Sequence, residues 1–411
     1  MKNNGGDVIH MMVSSGGTQQ EARVLYIASS SICDPLIVSQ VVRYLRVLAR
    51  DLPCCHLLTF ERVPLTPVQS AEIESNLRTD GITWTPLVAR SRSRVLNGWR
   101  EINNGCKTAL RLIRTHGLNI VHGRSFVPGN ISLRACRKTN ARFLYDMRGF
   151  WAEEKWAKGT IRQQMLKKLV QRAEDRLFHK ADRLVSLTDS GKRQLQDRDI
   201  STPIDVIPCC VDTDLFQWNG QRRQNVRRII SVGSLGPGYQ ASAVFGVFAA
   251  AQHKWPNARL QLLTRTKQEV IDQVAQAAGC DLSRIDVAAV EPSEVPRYLS
   301  TADLGLCMIQ PSVAKVASSP TRLAEYLASG VPVIANCDGI GDLLEIVPEN
   351  RVGVNLRSFD SAGYQQCINE VDELLEDPNV SARCRRLCEE RFSLEVGVRA
   401  YQSIYQRLIT V

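Results

Sequence analysis

Hydroxyl groups and charges are concentrated in residues 318–325, which read SSPTRLAE. Ser319 is of a type that favours the N-cap of a helix, and Pro320 suits the first helical position, where no amide hydrogen is needed. The unpaired amides of such a helix start, with the hydroxyls of Ser318, Ser319 and Thr321 beside them, form a site for phosphate oxygens. The run therefore predicts an anion-binding helix.

A carboxylate follows on the same predicted helix. Glu325 lies about six residues from the cap, roughly 9 Å along the axis, where it could accept hydrogen bonds from both hydroxyls of a ribose whose diphosphate occupies the helix start. Arg322 lies three residues before Glu325, beside the apolar stripe of Leu323 and Leu327, and is a further candidate donor-binding residue. The spacing predicts recognition of a nucleoside diphosphate. An ordinary capped helix with an incidental glutamate is the alternative.

The elements that must hold this helix alternate between strands and helices. After Gly330, the apolar VPVIA predicts a parallel strand covered on both faces, and CDGIGD is the loop at its carboxyl end. The pattern predicts an α/β chain with two doubly wound parallel sheets, in which ligands bind at the carboxyl ends of the strands. The predicted strands are residues 22–30, 54–60, 119–123 and 141–146, then 227–233, 258–264, 284–290, 303–309 and 331–336.

Three polar residues end neighbouring strands of the first half and are candidate catalytic groups. His122 ends one predicted strand, and Asp146 and Arg148 end the next. Asp146 could take the proton of an acceptor hydroxyl, and Arg148 could stabilise negative charge on the phosphate or the acceptor. A hydrogen-bonded strand-end histidine and a structural Asp–Arg ion pair are the alternatives.

Two cations and two glycines complete the predicted donor site. Arg265 follows a strand and Lys315 precedes Ser318 by three residues, so either could reach a departing diphosphate, although both could instead be solvated surface charges. Gly233 and Gly236 would let the backbone approach the donor.

No metal site or cofactor is predicted besides the donor substrate. Asp212 and Asp214 form a DTD sequence that we interpret as a turn closing the first domain, and the six histidines show no recognisable ligand spacing.

The segment around Glu325 resembles the signature of glycosyltransferase family 4, whose members have the GT-B fold and transfer sugars from nucleotide donors. The hallmark is a Glu, seven residues and a second Glu in a context such as EALASGVPVIA. In EYLASGVPVIA, Glu325 matches the second Glu. The resemblance implies that Glu325 binds the ribose. Ala317 replaces the first, which in the family lies near the transferred sugar. The wording of residues 315–342 more narrowly resembles a branch associated with exopolysaccharide and O-antigen assembly.

Four other segments resemble the family in the right order, namely residues 120–154, 181–216, 227–240 and 294–306. The family usually has an Arg and a Lys after the first strand of its second domain. SVGSLGPGYQ has neither, so we expect Arg265 or Lys315 to compensate. Asp146 and Arg148 likewise stand where many members have a Thr and a catalytic His.

The resemblance implies two Rossmann-like domains facing a central cleft. The expected boundaries are a mobile segment at 1–21, an acceptor-side domain at 22–216 completed by 393–411, a linker at 217–227 and a donor-binding domain at 228–392.

Composition agrees with two α/β domains. The chain has 411 residues, of which 44% are hydrophobic and 23% charged, enough for two cores. No run of about 18 apolar residues predicts a transmembrane helix, and the N-terminal stretch lacks the apolar region of a signal peptide. The 13 cysteines are odd in number and show no CxxC spacing, so we expect reduced thiols in a cytoplasmic protein.

Positive charge is concentrated in the first half of the chain. Residues 1–200 carry a balance of +14 and the remainder −4. The excess lies in residues 89–117 and 154–180, where Arg and Lys alternate with Trp and Leu. Such faces suit the anionic inner face of a plasma membrane; nucleic acid is a rival partner that we do not expect, and a plain solvated surface is the alternative.

The sequence therefore predicts a glycosyltransferase that moves a sugar from a UDP- or GDP-linked donor to a lipid-linked saccharide in polysaccharide biosynthesis. The resemblance implies a retaining, metal-independent reaction. The alternatives are a nucleotide-sugar epimerase of the same fold, and a non-catalytic nucleotide-sugar binder that docks a membrane assembly.

Overall fold

The computed structural model describes residues 20–88, 94–156, 161–218, 220, 228–236 and 238–410. These residues form two parallel sheets with helices packed on them, so the predicted α/β class is confirmed. Most of the predicted mobile segment 1–21 and most of the predicted 217–227 linker lie outside these residues.

The first half of the chain alternates strongly between strands and helices. A π-helix at Val38–Val42 joins its first two α-helices. Its elements are β1 (Arg23–Ala28), α1 (Pro35–Ile37), α2 (Arg43–Leu48), β2 (Cys54–Glu61), α3 (Pro67–Thr79), β3 (Ile82–Val88), α4 (Arg94–His116), β4 (Ile120–Arg124), α5 (Phe126–Cys136), β5 (Arg142–Asp146), α6 (Trp151–Lys155), α7 (Ile161–Lys180), β6 (Arg183–Ser186), α8 (Asp189–Gln196) and β7 (Ile204–Val206).

The second half repeats this alternation and then ends in three helices. Short 3₁₀ helices lie at Leu282–Arg284 and Val313–Ala317. Its elements are β8 (Arg228–Val232), α9 (Ala241–Lys254), β9 (Arg259–Leu263), α10 (Gln268–Ala277), β10 (Ile285–Ala288), α11 (Val295–Leu299), β11 (Leu304–Cys307), α12 (Thr321–Ala328), β12 (Val333–Ala335), α13 (Leu343–Ile346), β13 (Gly353–Asn355), α14 (Ser361–Glu376), α15 (Val380–Arg391) and α16 (Leu394–Ile409).

Both sheets have the strand order of doubly wound folds. The first runs β3-β2-β1-β4-β5-β6-β7 and the second β10-β9-β8-β11-β12-β13, and every named strand pair is parallel. The order reverses between β1 and β4 and again between β8 and β11. A crevice opens at the carboxyl ends of the strands at such points, which is where ligands bind in these folds.

The last helix returns to the first sheet. Ser393 pairs with Val211 in an isolated parallel bridge, and α16 then buries Val398, Ile404 and Leu408 in the same core cluster as the residues of β1 and α2. The core of the first sheet is therefore built from both ends of the described chain. The exact domain boundaries stay predictions.

The two halves meet closely along an interdomain seam, formed by α8 from the first half and by the Val313–Ala317 helix and Asp342 from the second. The Asp342 carboxylate accepts hydrogen bonds from the backbone amides of Asp189 and Ser190, at 2.8 and 2.9 Å. These are the first amides of α8, which have no partner within that helix. The Thr188 hydroxyl also donates to the carbonyl of Val316, at 2.9 Å. A buried acid of one half thus caps a helix of the other.

Two further results concern the state of the cysteines and the hydrophobicity of the helices. All thirteen cysteines lie within the described residues and are free. In the part of the chain that the structure describes, no helix is both long and apolar enough to cross a membrane.

Arg385 on α15 fastens the segment that connects the two halves. Its guanidinium donates to the backbone carbonyls of Thr213, Phe216 and Ala328, at distances of 2.6 to 3.2 Å. Since carbonyl groups that lose a buried partner raise the free energy of the folded state, this one side chain ties α12 to the crossover that leaves the first sheet.

We expect Arg385→Leu to lower the free energy of unfolding by at least about 2 kcal/mol, because it removes hydrogen bonds to three carbonyls at once. Urea denaturation measures the change as a lower midpoint. The control is Arg386→Leu, whose side chain is 69% exposed and reaches Glu390 only at 4.0 Å; it should stay within about 0.5 kcal/mol of the wild type. Equal effects of the two substitutions would contradict this role.

Candidate functional site between the two sheets

A cavity of about 730 Å³ lies between the two halves. The first half contributes the start of α1, from Asp34 to Ser39. The second half contributes the residues after β8, β9 and β10, together with Thr321 and Glu325 of α12. Its position at the carboxyl ends of the second sheet, and its volume, are typical of a small-ligand site.

Helix α12 begins later than the sequence predicts. Its first residue is Thr321, Pro320 is the N-cap, and no side chain caps the helix. The N-cap prediction for Ser319 is therefore wrong, because its hydroxyl instead accepts a hydrogen bond from the amide of Cys209, at 3.1 Å. Ser318 and Ser319 line a separate cavity of about 210 Å³ along the seam. Thr321 is thus the predicted hydroxyl that lines the large cavity.

The carboxylate of Glu325 faces the large cavity without a protein partner. No hydrogen bond or ion pair to it is found among the described residues. Burial raises the pKa of Glu325 to about 7, although the charges of Arg322 and Arg43 oppose this rise. A desolvated acceptor of this kind is available to the hydroxyl groups of a ligand.

Arg322 lies one turn before Glu325 and stacks on an aromatic ring. Its guanidinium carbon is 4.5 Å from the centre of the Tyr239 ring. It also meets the loop after β8, where a Cβ added to Gly233 would lie 2.6 Å from Nη2. Gly233 also has a φ of +104°, which disfavours other residues. The loop therefore needs glycine here to admit the guanidinium.

The three catalytic candidates of the first half do come together, at the carboxyl ends of β4 and β5. Oδ2 of Asp146 is 3.8 Å from Nε2 of His122 and 3.7 Å from Nη1 of Arg148. Two phenols of α16 complete the group, since Tyr405 bonds Nδ1 of His122 at 2.8 Å and Tyr401 donates to Asp146 at 3.3 Å. The final helix therefore positions groups on the first sheet.

This group is buried, and burial sets its charges. His122 and Asp146 are 0% exposed. Burial lowers the pKa of His122. Burial alone would raise the pKa of Asp146, but the positive charge of Arg148, with smaller effects of His122 and Arg124, outweighs it. The pKa of Asp146 is therefore below its usual value. A neutral histidine thus lies beside an ionised aspartate. Nε2 of His122, Oδ1 of Asp146 and Nε of Arg124 are buried without a hydrogen-bond partner.

The group is connected to α12 through Cys209. Nη2 of Arg148 lies 3.1 Å from Sγ of Cys209, whose amide donates to Ser319. Arg148 has a φ of +59°, a conformation that is uncommon for residues other than glycine and often marks functional sites. Its side chain is 13% exposed. It is therefore the most accessible of the three candidates.

Comparison of the sequence with family models identifies the first half. Residues 65–215 match the model described as Glycosyltransferase Family 4. This part of the chain is similar to that family. The sequence-based assignment as a glycosyltransferase is confirmed. The chain matches none of the curated proteins with which it was compared.

Solved structures with the same fold cover nearly the whole glycosyltransferase. A glycosyltransferase from Rickettsia africae is 17% identical, with 95% of this chain and 99% of that one covered and a TM-score of 0.68. Sucrose-phosphate synthase from Thermosynechococcus elongatus is 14% identical, with 95% and 99% covered and a TM-score of 0.70. Anabaena HepE, solved with UDP and glucose, is 12% identical, with 95% and 100% covered and a TM-score of 0.68. These similarities confirm the GT-B fold.

The remaining predicted donor residues of the glycosyltransferase lie at different distances from the cavity. Arg265 lines its mouth, but pairs with Glu291 at 3.1 Å, and both side chains are about 70% exposed. Lys315 pairs across the seam with Glu154, at 3.3 Å. Gly236 donates its amide to the Ser234 hydroxyl. Neither predicted substitute for the missing phosphate cations is therefore a free charge inside the cavity.

Ala317, which replaces the first Glu of the family signature, is fully buried in the seam. A Cβ added to Gly191 of α8 would lie 2.8 Å from the Cβ of Ala317. The two small residues let the backbones approach closely, and this arrangement leaves no room for an acidic side chain at position 317. The absence of the carboxylate is thus coupled to the packing of the two halves.

Several residues of the site were not foreseen from the sequence. Tyr239 and the residues from Asp34 to Ser39 line the cavity, and Tyr401 and Tyr405 support the buried group. The sequence signal for the phenols is their spacing of four residues on an amphipathic helix, which places both on one face. No local signal pairs the start of α1 with α12, since that contact is purely tertiary.

We expect Glu325→Gln to stabilise the ligand-free enzyme at pH 8 but not at pH 5. The unfolded chain ionises Glu325 near pH 4.5, whereas the folded protein keeps it protonated until about pH 7, so this group makes the fold less stable as the pH rises through that window. Because Glu325 is partly exposed to the cavity, the expected gain at pH 8 is about 1 to 2 kcal/mol.

Thermal unfolding at pH 5 and pH 8 measures this difference. The control is Glu373→Gln, which removes an exposed carboxylate of α14. A pH-independent difference between the Glu325→Gln variant and the wild type would show that Glu325 is already ionised in the folded protein at low pH.

Proposed function

We propose that this glycosyltransferase takes its sugar from a nucleoside-diphosphate sugar bound in the 730 Å³ cavity. The observation that carries the proposal is the unpartnered, desolvated carboxylate of Glu325 in that cavity, one turn inside α12. A ribose offers two neighbouring hydroxyl donors, which satisfy such an acceptor. HepE, which shares the fold, has been solved with UDP, with UDP and glucose, and with UDP-glucose; this supports a UDP-linked donor here.

The cavity suggests how the donor lies. The ribose hydroxyls bind Glu325, and the diphosphate lies toward Thr321 and the loop at Gly233, where the amides of the first turn of α12 are unpaired. The base then lies along the residues after β9 and β10, including Thr266 and Val290. This pose brings the transferred sugar to the side of the cavity that the first half closes.

The transfer exchanges one bond for another. The bond between the anomeric carbon and the β-phosphate oxygen breaks, and its electron pair stays on the departing diphosphate. The acceptor oxygen bonds to the anomeric carbon and loses its proton. We propose that the buried carboxylate of Asp146, which lies beside His122 and accepts a hydrogen bond from Tyr401, receives this proton. The more accessible Arg148 stabilises negative charge beside it. Resemblance to the family supports retention of the anomeric configuration.

For the acceptor we propose a lipid-linked saccharide at the inner face of the plasma membrane. The support is a basic face on α7, formed by Met165, Lys168, Leu169, Arg172 and Arg176, all of which are exposed. Within the described residues none of its cations has an ion-pair partner. Apolar side chains flanked by Lys and Arg suit an anionic bilayer surface. An enzyme of polysaccharide biosynthesis would meet its acceptor at such a surface.

The donor assignment predicts a specific loss on substitution. Glu325→Ala should weaken donor binding by roughly 10- to 100-fold, the effect of losing a hydrogen bond to a charged group. Calorimetry with a panel of UDP- and GDP-sugars, followed by nucleotide release with saccharide acceptors, measures binding and turnover. Activity should survive EDTA, because helix amides and arginines rather than a metal are expected to neutralise the diphosphate.

The other outcomes of this experiment identify rival functions. Unchanged donor affinity in a folded Glu325→Ala variant would refute the ribose assignment, with Glu373→Ala as the matched control. Conversion of the donor to an epimer without an acceptor would indicate an epimerase, and binding without turnover would indicate a nucleotide-sugar binder. Loss of activity in EDTA that Mg²⁺ or Mn²⁺ restores would show that a metal is required.

The membrane assignment predicts salt-sensitive binding to anionic vesicles. Each Lys or Arg near such a surface contributes about 1 kcal/mol, so replacing Lys168, Arg172 and Arg176 with Gln should reduce sedimentation with vesicles about tenfold or more. Donor affinity should not change. Lys167 is left intact because it pairs with Glu153, at 2.7 Å.

A second triple variant is the matched control. Replacement of Arg297, Arg357 and Arg386 with Gln removes three exposed cations from the second half and should leave vesicle binding unchanged. Equal sedimentation of both variants and the wild type, or preference for neutral lipid, would refute the membrane role of α7.

A further inference from the structure

Three arginines are close to the donor cavity, since Arg265 lines it and the charges of Arg43 and Arg322 act on Glu325, which also lines it. They differ in whether a carboxylate already neutralises them. Arg43 pairs with Asp212 at 3.2 Å, and Arg265 pairs with Glu291 at 3.1 Å. Arg322 has no carboxylate partner in the part of the chain that the structure describes. Glu325, one turn away, forms no ion pair with it among the described residues, although the two charges interact through space. A cation left without a counter-ion next to a cavity is a candidate to bind an anionic ligand.

The surroundings of Arg322 fix where its guanidinium lies. It stacks on Tyr239 and also packs against the loop at Gly233. Gly233, Tyr239 and Thr321 all line the cavity. Stacking covers the flat face of a guanidinium and leaves its N–H edges available, and these match two oxygens of a phosphate.

We propose that Arg322 binds the diphosphate of the donor and is a catalytic residue of the transfer. The proposal rests on the function proposed above and assigns the phosphate cation to α12 itself. Arg322 and Glu325 are three residues apart, so they project from one side of the helix about 4.5 Å apart along its axis. A ribose and its attached phosphates are adjacent groups of the donor. One helical turn therefore recognises both.

The chemical role follows from the charge balance of the step. When the bond between the anomeric carbon and the phosphate oxygen breaks, the electron pair leaves one additional negative charge on the nucleoside diphosphate. A preorganised guanidinium stabilises this charge more than the charge of the intact donor, which lowers the barrier. Arg322 should therefore affect turnover and the affinity for the product UDP more than the affinity for the intact sugar nucleotide.

The alternative is that Arg322 only supports Tyr239 and the fold. The two roles differ in which part of the nucleotide senses the substitution. Loss of a phosphate ligand weakens binding of UDP and leaves that of uridine unchanged, whereas loss of structural support weakens both and lowers the melting temperature. The ratio of the uridine and UDP dissociation constants is therefore the decisive quantity.

Calorimetry with UDP and saturation-transfer NMR with uridine measure this ratio in the full chain. Arg322→Gln should weaken UDP binding by about 10- to 100-fold, with uridine affinity and melting temperature unchanged. Arg322→Lys keeps the positive charge but loses the planar guanidinium, so its UDP affinity should lie between those of Arg322→Gln and the wild type. The control is Arg357→Gln, an exposed arginine after β13, which should change neither affinity by more than about threefold.

Other binding results would contradict either the role of Arg322 or the donor site itself. If the wild type binds UDP and Arg322→Gln binds it equally well, the assignment of Arg322 is wrong while the donor site stands. Equal losses of UDP and uridine affinity would make Arg322 a structural residue, and a loss in Arg265→Gln instead would move the phosphate cation to Arg265. If no sugar nucleotide or UDP binds the wild type, the proposed function itself fails.

Discussion

The close approach of the two halves along the seam is the constraint on which the rest of the structure depends. Ala317 meets Gly191 with no side chain between them, and the carboxylate of Asp342 completes the first turn of α8. These contacts place the carboxyl ends of the second sheet opposite α1 of the first. The cavity, the position of α12 and the loss of the signature acid at position 317 all follow from this approach.

The cavity concentrates groups that are unfavourable for an empty protein. Glu325 is desolvated, and Arg322 is stacked but has no counter-ion among the described residues. Both conditions raise the free energy of the ligand-free fold and are relieved by a ligand that supplies hydroxyl donors and negative charge. The first half carries a similar feature, since three buried polar atoms around His122 and Asp146 have no partner within the described part of the chain.

The sequence predicted the fold better than the details of the site. Nine strands were recognisable from their apolar runs, which in strands such as β1, β4 and β11 are buried on both faces. The strands that were missed are either short, such as β7 and β13, or half-exposed, such as β3, whose alternating pattern includes Pro86 at the edge of the sheet. Glu325 was found because its motif is local. Residues whose positions depend on distant partners could not be placed in this way. The hydroxyl of Ser319 accepts a hydrogen bond from the amide of Cys209, which lies 110 positions earlier in the chain. Lys315 forms an ion pair with Glu154 of the other half.

The return of α16 to the first sheet also has a consequence for synthesis of the chain. Tyr401 and Tyr405 reach His122 and Asp146 from the last described helix, and α16 fills one side of the core that β1 begins. Translation delivers β1 long before α16, so a nascent chain holds an incomplete core on the first sheet until α16 has left the ribosome. The buried acid and histidine acquire their phenol partners only after α16 has been made.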